Sequence, residues 1–173
     1  LLDFARERPV VKERLNLNDV IRQTIRLLGN RQAFQQITVR GAFQADLPPV
    51  DADMNQLQQV LLNLLLNACE AMPDGGTLTV GASAEDDHVL VRITDTGCGI
   101  KKEHVEQIFE PFFSTKPPGK GTGLGLSVSY GIIRQHGGEL EVQSEEGEGT
   151  TFTIVLPATE EQIANGPAAK AEP

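Results

Sequence analysis

The sequence predicts an α+β fold, a two-layer sandwich in which a mixed, mostly antiparallel sheet carries helices packed on one face. Three observations point there. Two pairs of strand-like runs are joined by short turns: Thr77–Ala84 with His88–Asp95 through Glu85-Asp86-Asp87, and Glu139–Ser144 with Thr150–Leu156 through a Gly-rich turn. The helical patterns stand apart from these hairpins and do not alternate with them strand by strand. A long segment from about Asp53 to Met72 repeats Leu57, Val60, Leu61, Leu64 and Leu65 at helical spacing, a broad apolar face able to cover a sheet.

Along the chain, Leu1–Arg8 has helical propensity, is ended by Pro9, and reads as the tail of a helix from a longer protein. Asn18 is expected to cap a second helix with Val20, Ile21, Ile25, Leu27 and Leu28 on its apolar side. Ile37–Phe43 alternates as a strand does, and Leu47-Pro48-Pro49 breaks it. Pro73-Asp74-Gly75-Gly76 ends the long helix and turns the chain. After the first hairpin come a glycine loop at Thr96–Ile100, a short helix near Glu103–Ile108, and an irregular stretch rich in Phe, Pro and Gly. Leu124–His136 reads as a helix stopped by Gly137-Gly138. The expected domain spans 11–157, and 158–173, rich in Ala, Glu and Pro, is expected to be a disordered tail.

Composition excludes several functions. A formal charge of −9 over 173 residues is unsuited to binding a phosphate backbone, so no nucleic-acid partner is expected. The longest apolar runs, such as Val60–Leu66, are too short to span a bilayer, and Leu1–Val10 carries too many charges for a signal peptide. This domain is expected to be cytoplasmic and to make no direct membrane contact. Cys69 and Cys98 have neither redox nor zinc spacing and read as thiols.

Three segments carry chemistry. In Asn63–Ala71, Asn63 and Asn67 lie four apart on one helix face. Two carboxamides in a Leu-rich helix either cap a neighbouring loop or offer hard oxygen ligands to a cation such as magnesium. In Asp95-Thr96-Gly97-Cys98-Gly99-Ile100 an acid at a strand end precedes two glycines. Alone this reads as an ordinary turn, although such glycines also let backbone approach a flat ligand. In Lys116–Leu126 a run of glycines enters an apolar helix, presenting free N–H groups to an anion. It is neither a dinucleotide fingerprint, since no strand precedes it in a βαβ unit, nor a Walker A loop, since Gly121 follows Gly119-Lys120.

Together and in this order, the segments resemble the GHKL superfamily of ATP-binding domains, and within it bacterial sensor histidine kinases. Asn63–Ala71 is similar to the N box, Asp95–Ile100 to the first glycine box and Phe109–Phe113 to the F box. Gly121–Leu126 is similar to the second glycine box and Gly149-Thr150-Thr151-Phe152 to the closing strand. The resemblance covers roughly Leu15 to Pro157 and implies a Bergerat-type sandwich with a mobile lid at about Lys101–Gly121. It also implies ATP and Mg²⁺ as ligands. Asn67, supported by Asn63, would hold the metal, and Asp95 the adenine amine. Gly97, Gly99 and Ile100 would shape the base pocket, with Thr150 supporting the base. Gly121, Gly123 and Gly125 would hold phosphates, and Glu70, Phe112, Lys120, Thr122, Leu124 and Leu126 would also belong to the nucleotide-binding set. Asn67 and Lys116 are the candidate catalytic residues. Many histidine kinases carry a basic residue where this chain has Glu70, so Lys116 or Lys120 would have to supply that charge. Glu70-Ala71-Met72 and Ser114-Thr115-Lys116 resemble the nitrogen-regulation sensors.

One position separates kinase from hydrolase. The hydrolysing members of the superfamily carry a Glu four residues before the metal-binding Asn, and here that position is Asn63, which cannot accept a proton at neutral pH. A histidine kinase needs no such base, because its imidazole is the nucleophile. The phosphoacceptor itself is missing: His88, His104 and His136 all lack the family's acceptor setting. The expected function is therefore transfer of the γ-phosphoryl group of ATP to a histidine on a separate dimerisation and phosphotransfer domain, of which Leu1–Val10 resembles the end. The cognate response regulator is the expected downstream partner, and the parent protein is expected to be a homodimer. The alternatives are a nucleotide-binding regulatory module without phosphotransfer, and an ATPase, which Asn63 disfavours.

Overall fold

In the computed structural model, residues 9–29, 34–116 and 121–159 are described. They form β1 (Glu13–Leu15), α1 (Leu17–Leu28), β2 (Ile37–Phe43), β3 (Val50–Ala52), α2 (Met54–Ala71), β4 (Gly76–Glu85), β5 (His88–Asp95), α3 (Lys102–Val105), α4 (Gly125–Gln135), β6 (Glu139–Glu145) and β7 (Gly149–Pro157). The main sheet has the order β2-β4-β5-β7-β6, and β1 pairs with β3 in a separate two-stranded ribbon. Only β2 and β4 run parallel. A parallel neighbour requires a crossover, which β3 and α2 supply. The predicted α+β sandwich with a mixed, mostly antiparallel sheet is what forms.

The core follows from two periodicities meeting. Val89, Val91 and Ile93 on β5, Leu78, Val80 and Ala82 on β4, and Phe152, Ile154 and Leu156 on β7 are buried at every second position. Against them lie Leu57, Val60, Leu61, Leu64, Leu65, Ala68 and Cys69 of α2. This helix packs between α1 and α4, so the three form one layer. Each of these larger side chains contributes roughly 1.5–3 kcal/mol by leaving water.

Two details of α1 differ from the sequence expectation. Its N-cap is Asn16, whose side chain accepts from the Asn18 N–H at 2.9 Å. Asn18 lies inside the helix and donates its amide to the Gln44 carbonyl at 2.8 Å. Leu27 is 58% exposed, because the buried set Leu17, Val20, Ile21, Thr24 and Leu28 points about a quarter-turn away from it. The ribbon of β1 and β3 was not expected at all: three residues are too few to show a period.

Two buried polar residues join helix ends. Asp53 caps α2, accepting from the N–H groups of Asn55 at 3.0 Å and Gln56 at 3.1 Å, and its other oxygen accepts from the Val11 N–H at 3.0 Å. The Asp53 N–H donates to Nε2 of His136, at the end of α4, over 3.0 Å. His136 Nδ1 lies 2.8 Å from the Ile132 carbonyl, so the network assigns the imidazole proton to Nδ1. The expected helix remnant at Leu1–Arg8 and the tail from residue 160 lie outside the described residues.

Candidate functional site

The period of two that buries Val89, Val91 and Ile93 continues one step further, to Asp95. The strand's inward face therefore ends on a carboxylate, 5% exposed, at the edge of the helix layer. Burial pushes this carboxyl above the usual carboxylate range, partly offset by the backbone N–H groups of Gly97 and Thr150. Its Oδ1 accepts from the Gly97 N–H at 2.8 Å. Thr150 is its direct partner on β7 and is equally buried. The Thr150 hydroxyl lies 2.8 Å from Ser144 Oγ, which also donates to the Gly149 carbonyl at 2.9 Å and accepts from the Ile100 N–H at 2.8 Å.

The glycine loop is pressed against the end of α2. The Cys98 N–H donates to the Ala71 carbonyl at 3.1 Å. A Cβ on Gly97 would stand 2.6 Å from that same oxygen and 2.8 Å from Asp95 Oδ1, so only glycine allows the approach. Burial pushes the neighbouring Cys69 thiol up to about 11, helped by the nearby Glu70 charge. It stays protonated and inert.

Asn63, Asn67 and Glu70 recur at i, i+4 and i+7 on the face of α2 turned toward α4 and the segment after the F box. Asn63 donates its amide to Ser129 Oγ of α4 at 3.0 Å. Gly125 sits so close to the Asn63 amide that a Cβ there would collide with its oxygen. Lys116 Nζ lies 3.5 Å from Asn67 Oδ1 and forms an ion pair with Glu70. The N-cap of α4 is Leu124, whose side chain cannot cap, whereas α1 and α2 are capped by Asn16 and Asp53. Among the described residues no side chain caps the first turn of α4, the kind of helix end whose N–H groups can receive an anion.

These pieces surround one cleft of about 810 Å³, within the range of small-molecule sites. Of the expected residues, Asn63, Asn67, Glu70, Asp95, Gly99, Ile100, Lys116, Gly121, Thr122, Gly123, Gly125, Leu126 and Thr150 line it. Gly97 and Leu124 are not among the lining residues, and Lys120 lies outside the described residues. Phe112 does not line the cleft either. The residue is 77% exposed, and its backbone, at φ 68°, donates to the Gly123 carbonyl at 2.9 Å. Its neighbour Phe113 turns inward and packs edge-on against His104, 5.5 Å between centroids. With Ile108, Leu66 and Phe152, Phe113 forms apolar walls that sequence reasoning missed. Phe152 was within reach, since it shares the inward face of β7 with Thr150. None of the three histidines lines the cleft, and among the described residues no group of three or more His, Cys, Asp or Glu could hold a metal ion.

Comparison with known proteins agrees with this geometry. Residues 52–160 match the family described as histidine kinase-, DNA gyrase B- and HSP90-like ATPase. Sporulation kinase E of Bacillus subtilis is 42% identical over 157 residues, covering 90% of this chain and 21% of the relative. The sensor kinase CckA of Brucella abortus is 45% identical over 172 residues, covering 91% of this chain and 18% of the relative. This chain therefore spans only about a fifth of these curated relatives. The catalytic domain of the histidine kinase ThkA superimposes with a TM-score of 0.77 at 33% identity, covering 86% of this chain and 96% of that one. Full-length ShkA in complex with AMPPNP gives 0.78 at 30% identity, covering 91% of this chain and 33% of that one. Sequence match, fold and cleft coincide, and the chain belongs to the histidine kinase-, DNA gyrase B- and HSP90-like ATPase family, as a catalytic ATP-binding domain of the sensor histidine kinase kind.

Proposed function

We propose that this domain binds ATP with Mg²⁺ and donates the γ-phosphoryl group to a histidine on a separate dimerisation and phosphotransfer domain, a step of two-component signalling in the cytoplasm. The observation that carries the reading is the Asn63 amide bonded to Ser129 of α4, where a hydrolase of this family would hold its general base. The cleft thereby positions a nucleotide without activating water, and catalysis reduces to orientation and charge neutralisation.

The residues suit the cofactor. Asn67, supported by Asn63, offers the few hard oxygens that a magnesium ion shared with phosphates requires. When bound, the ion supplies neutralisation of phosphate charge. Asp95 accepts from the adenine amine, Thr150 supports the base, and Ile100, Ile108 and Phe152 exclude water around it. The N–H groups opening α4, with Gly121 and Gly123, hold phosphate oxygens, and Lys116 neutralises the terminal one. In the transfer, the bond from the γ-phosphorus to the β-phosphate oxygen breaks as an imidazole nitrogen bonds the phosphorus, and ADP leaves.

The partners of this reading are the parent protein's own histidine domain, through which it dimerises, and a response regulator. No helix among the described residues is long and apolar enough to cross a membrane. The narrower kinship with nitrogen-regulation sensors draws no support from the relatives above, a sporulation kinase and CckA.

Mixing the chain with the histidine domain of its parent and γ-labelled ATP tests the proposal. Label is expected on that domain only when both are present, and never on the isolated chain. ATP binding without transfer would make the chain a regulatory module, and steady ATP turnover by the chain alone would make it a hydrolase.

A further inference from the structure

Glu70 is the residue that the nucleotide reading leaves without a task. A carboxylate lining a site for a triphosphate repels its ligand, and its neighbours on the same face of α2 are two neutral carboxamides. The structure gives it a specific partner. Lys116, on the segment following the F box, reaches across the cleft to α2, where its ammonium is paired with Glu70 and lies 3.5 Å from Asn67 Oδ1. Asn67 and Glu70 are one turn apart, so the Glu70 carboxylate holds the ammonium beside the Asn67 carboxamide and leaves that oxygen to the metal. The Lys116 and Glu70 side chains are 38% and 53% exposed, so the pair adds little to stability. Its consequence is geometric: a long, flexible side chain from an irregular segment is confined to one spot on a rigid helix.

We infer that Glu70 is a positioning residue, which seats the Lys116 ammonium beside Asn67 and so builds into the cleft a preference for a third phosphate. This rests on the nucleotide reading above. Glu70 touches no substrate: it accepts from Lys116, and Lys116 meets the terminal phosphate. A cation rooted directly on α2 at position 70 would do the same work from the helix, while here the charge is borrowed from position 116 and held by an acid. Position 70 thus acts on ATP with a sign opposite to its own charge. Simple electrostatics predicts that removing an acid beside a polyanion tightens binding; positioning predicts that it loosens ATP and spares ADP.

The experiment is a titration of the chain with ATP and with ADP, each with Mg²⁺, for four forms: unsubstituted, Lys116→Met, Glu70→Ala, and the double variant Glu70→Lys/Lys116→Met. Lys116→Met is expected to weaken ATP about tenfold, the loss of one charge-assisted contact, and to change ADP less than about twofold. Glu70→Ala is expected to weaken ATP about threefold, again sparing ADP. The double variant is expected to recover most of the ATP affinity that Lys116→Met loses, because the new ammonium grows from the seat itself. Thermal unfolding of all four forms should agree closely, since both side chains are exposed. If Glu70→Ala tightens ATP, or weakens ATP and ADP alike, or if Glu70→Lys fails to rescue Lys116→Met, the inference is overturned while the nucleotide site stands. If the unsubstituted chain binds neither nucleotide, the nucleotide reading fails and takes the inference with it.

Discussion

Asp95 and Thr150 stand directly opposite each other at the last pairing of β5 with β7, both 5% exposed and both turned toward the helices. The sheet's inner face is apolar until this final rung, which is polar on both strands. The floor of the cleft is therefore a continuation of the core, with its rigidity, in which two apolar residues have been replaced by hydrogen-bonding ones.

That placement makes Asp95 costly to the fold and useful to the ligand. Burial raises its carboxyl pKa, so the stability it contributes is present below the ordinary carboxylate range and lost as pH rises through the folded-state value. Asp95→Asn keeps an oxygen for the Gly97 N–H and carries no charge. At neutral pH this variant should melt no lower than the unsubstituted chain, and higher if desolvation dominates, with the advantage fading as pH falls through the carboxylate range. Its ATP affinity should drop about a hundredfold, the loss of a charged acceptor. A clear fall in Tm at pH 7 would contradict this.

Asp53 behaves in the opposite sense. The N–H groups of Val11, Gln56 and Asn55 hold its carboxyl below the usual range, so its contribution is present above that range and lost as pH falls through the folded-state value. Asp53→Ala should cost about 1–2 kcal/mol at pH 7 through loss of the cap, and should flatten the acid side of the stability profile. Chemical denaturation across pH 3–7 measures both.

His136→Phe tests the other half of the same junction. The ring would still fill the site, but the buried Asp53 N–H would lose its acceptor, a cost of about 1–3 kcal/mol. His136→Gln, able to accept through its amide oxygen, should recover part of that stability. Nucleotide affinity should be unchanged in both, because His136 does not line the cleft.

Gly97→Ala should harm binding without touching the ligand. The added methyl would stand 2.6 Å from the Ala71 carbonyl, and the loop must move off α2 to relieve it. Overpacking of this kind costs about 1–3 kcal/mol. Loss of ATP binding at an unchanged Tm would show that the loop, and not the helix, gives way.

Asn63→Glu restores a proton acceptor where hydrolysing members of the family carry one. ATP hydrolysis by the isolated chain should then rise by at least about tenfold, a small part of what a positioned base supplies. A release assay for inorganic phosphate decides it; no rise would mean that the water this base would activate has no place in the cleft.

Asn63, Asn67, Asp95 and the glycines were legible because spacing alone places them. Four residues along a helix share a face, and a strand's alternation ends where its carboxylate stands. The five-stranded sheet and the long α2 were legible for the same reason. Leu27 was misplaced and the cap of α1 set two residues late, because neighbouring helical positions differ by a rotation that only packing fixes. Phe112 and Phe113 are indistinguishable as letters. A positive φ at Phe112 sends one ring to solvent and the other into the cleft.

By itself the sequence determined the kind of fold and the apolar face of α2, which follow from local period, and the order of its motifs carried the resemblance to the family. Only the tertiary structure decided how elements distant in the chain meet. Arg14 with Asp51 in the β1–β3 ribbon, Asp53 with His136 at the helix junction, and Glu70 with Lys116 are partners 37, 83 and 46 residues apart in the chain. No local pattern records such pairings, because each arises when separate elements are packed on one sheet and their polar groups must find partners there.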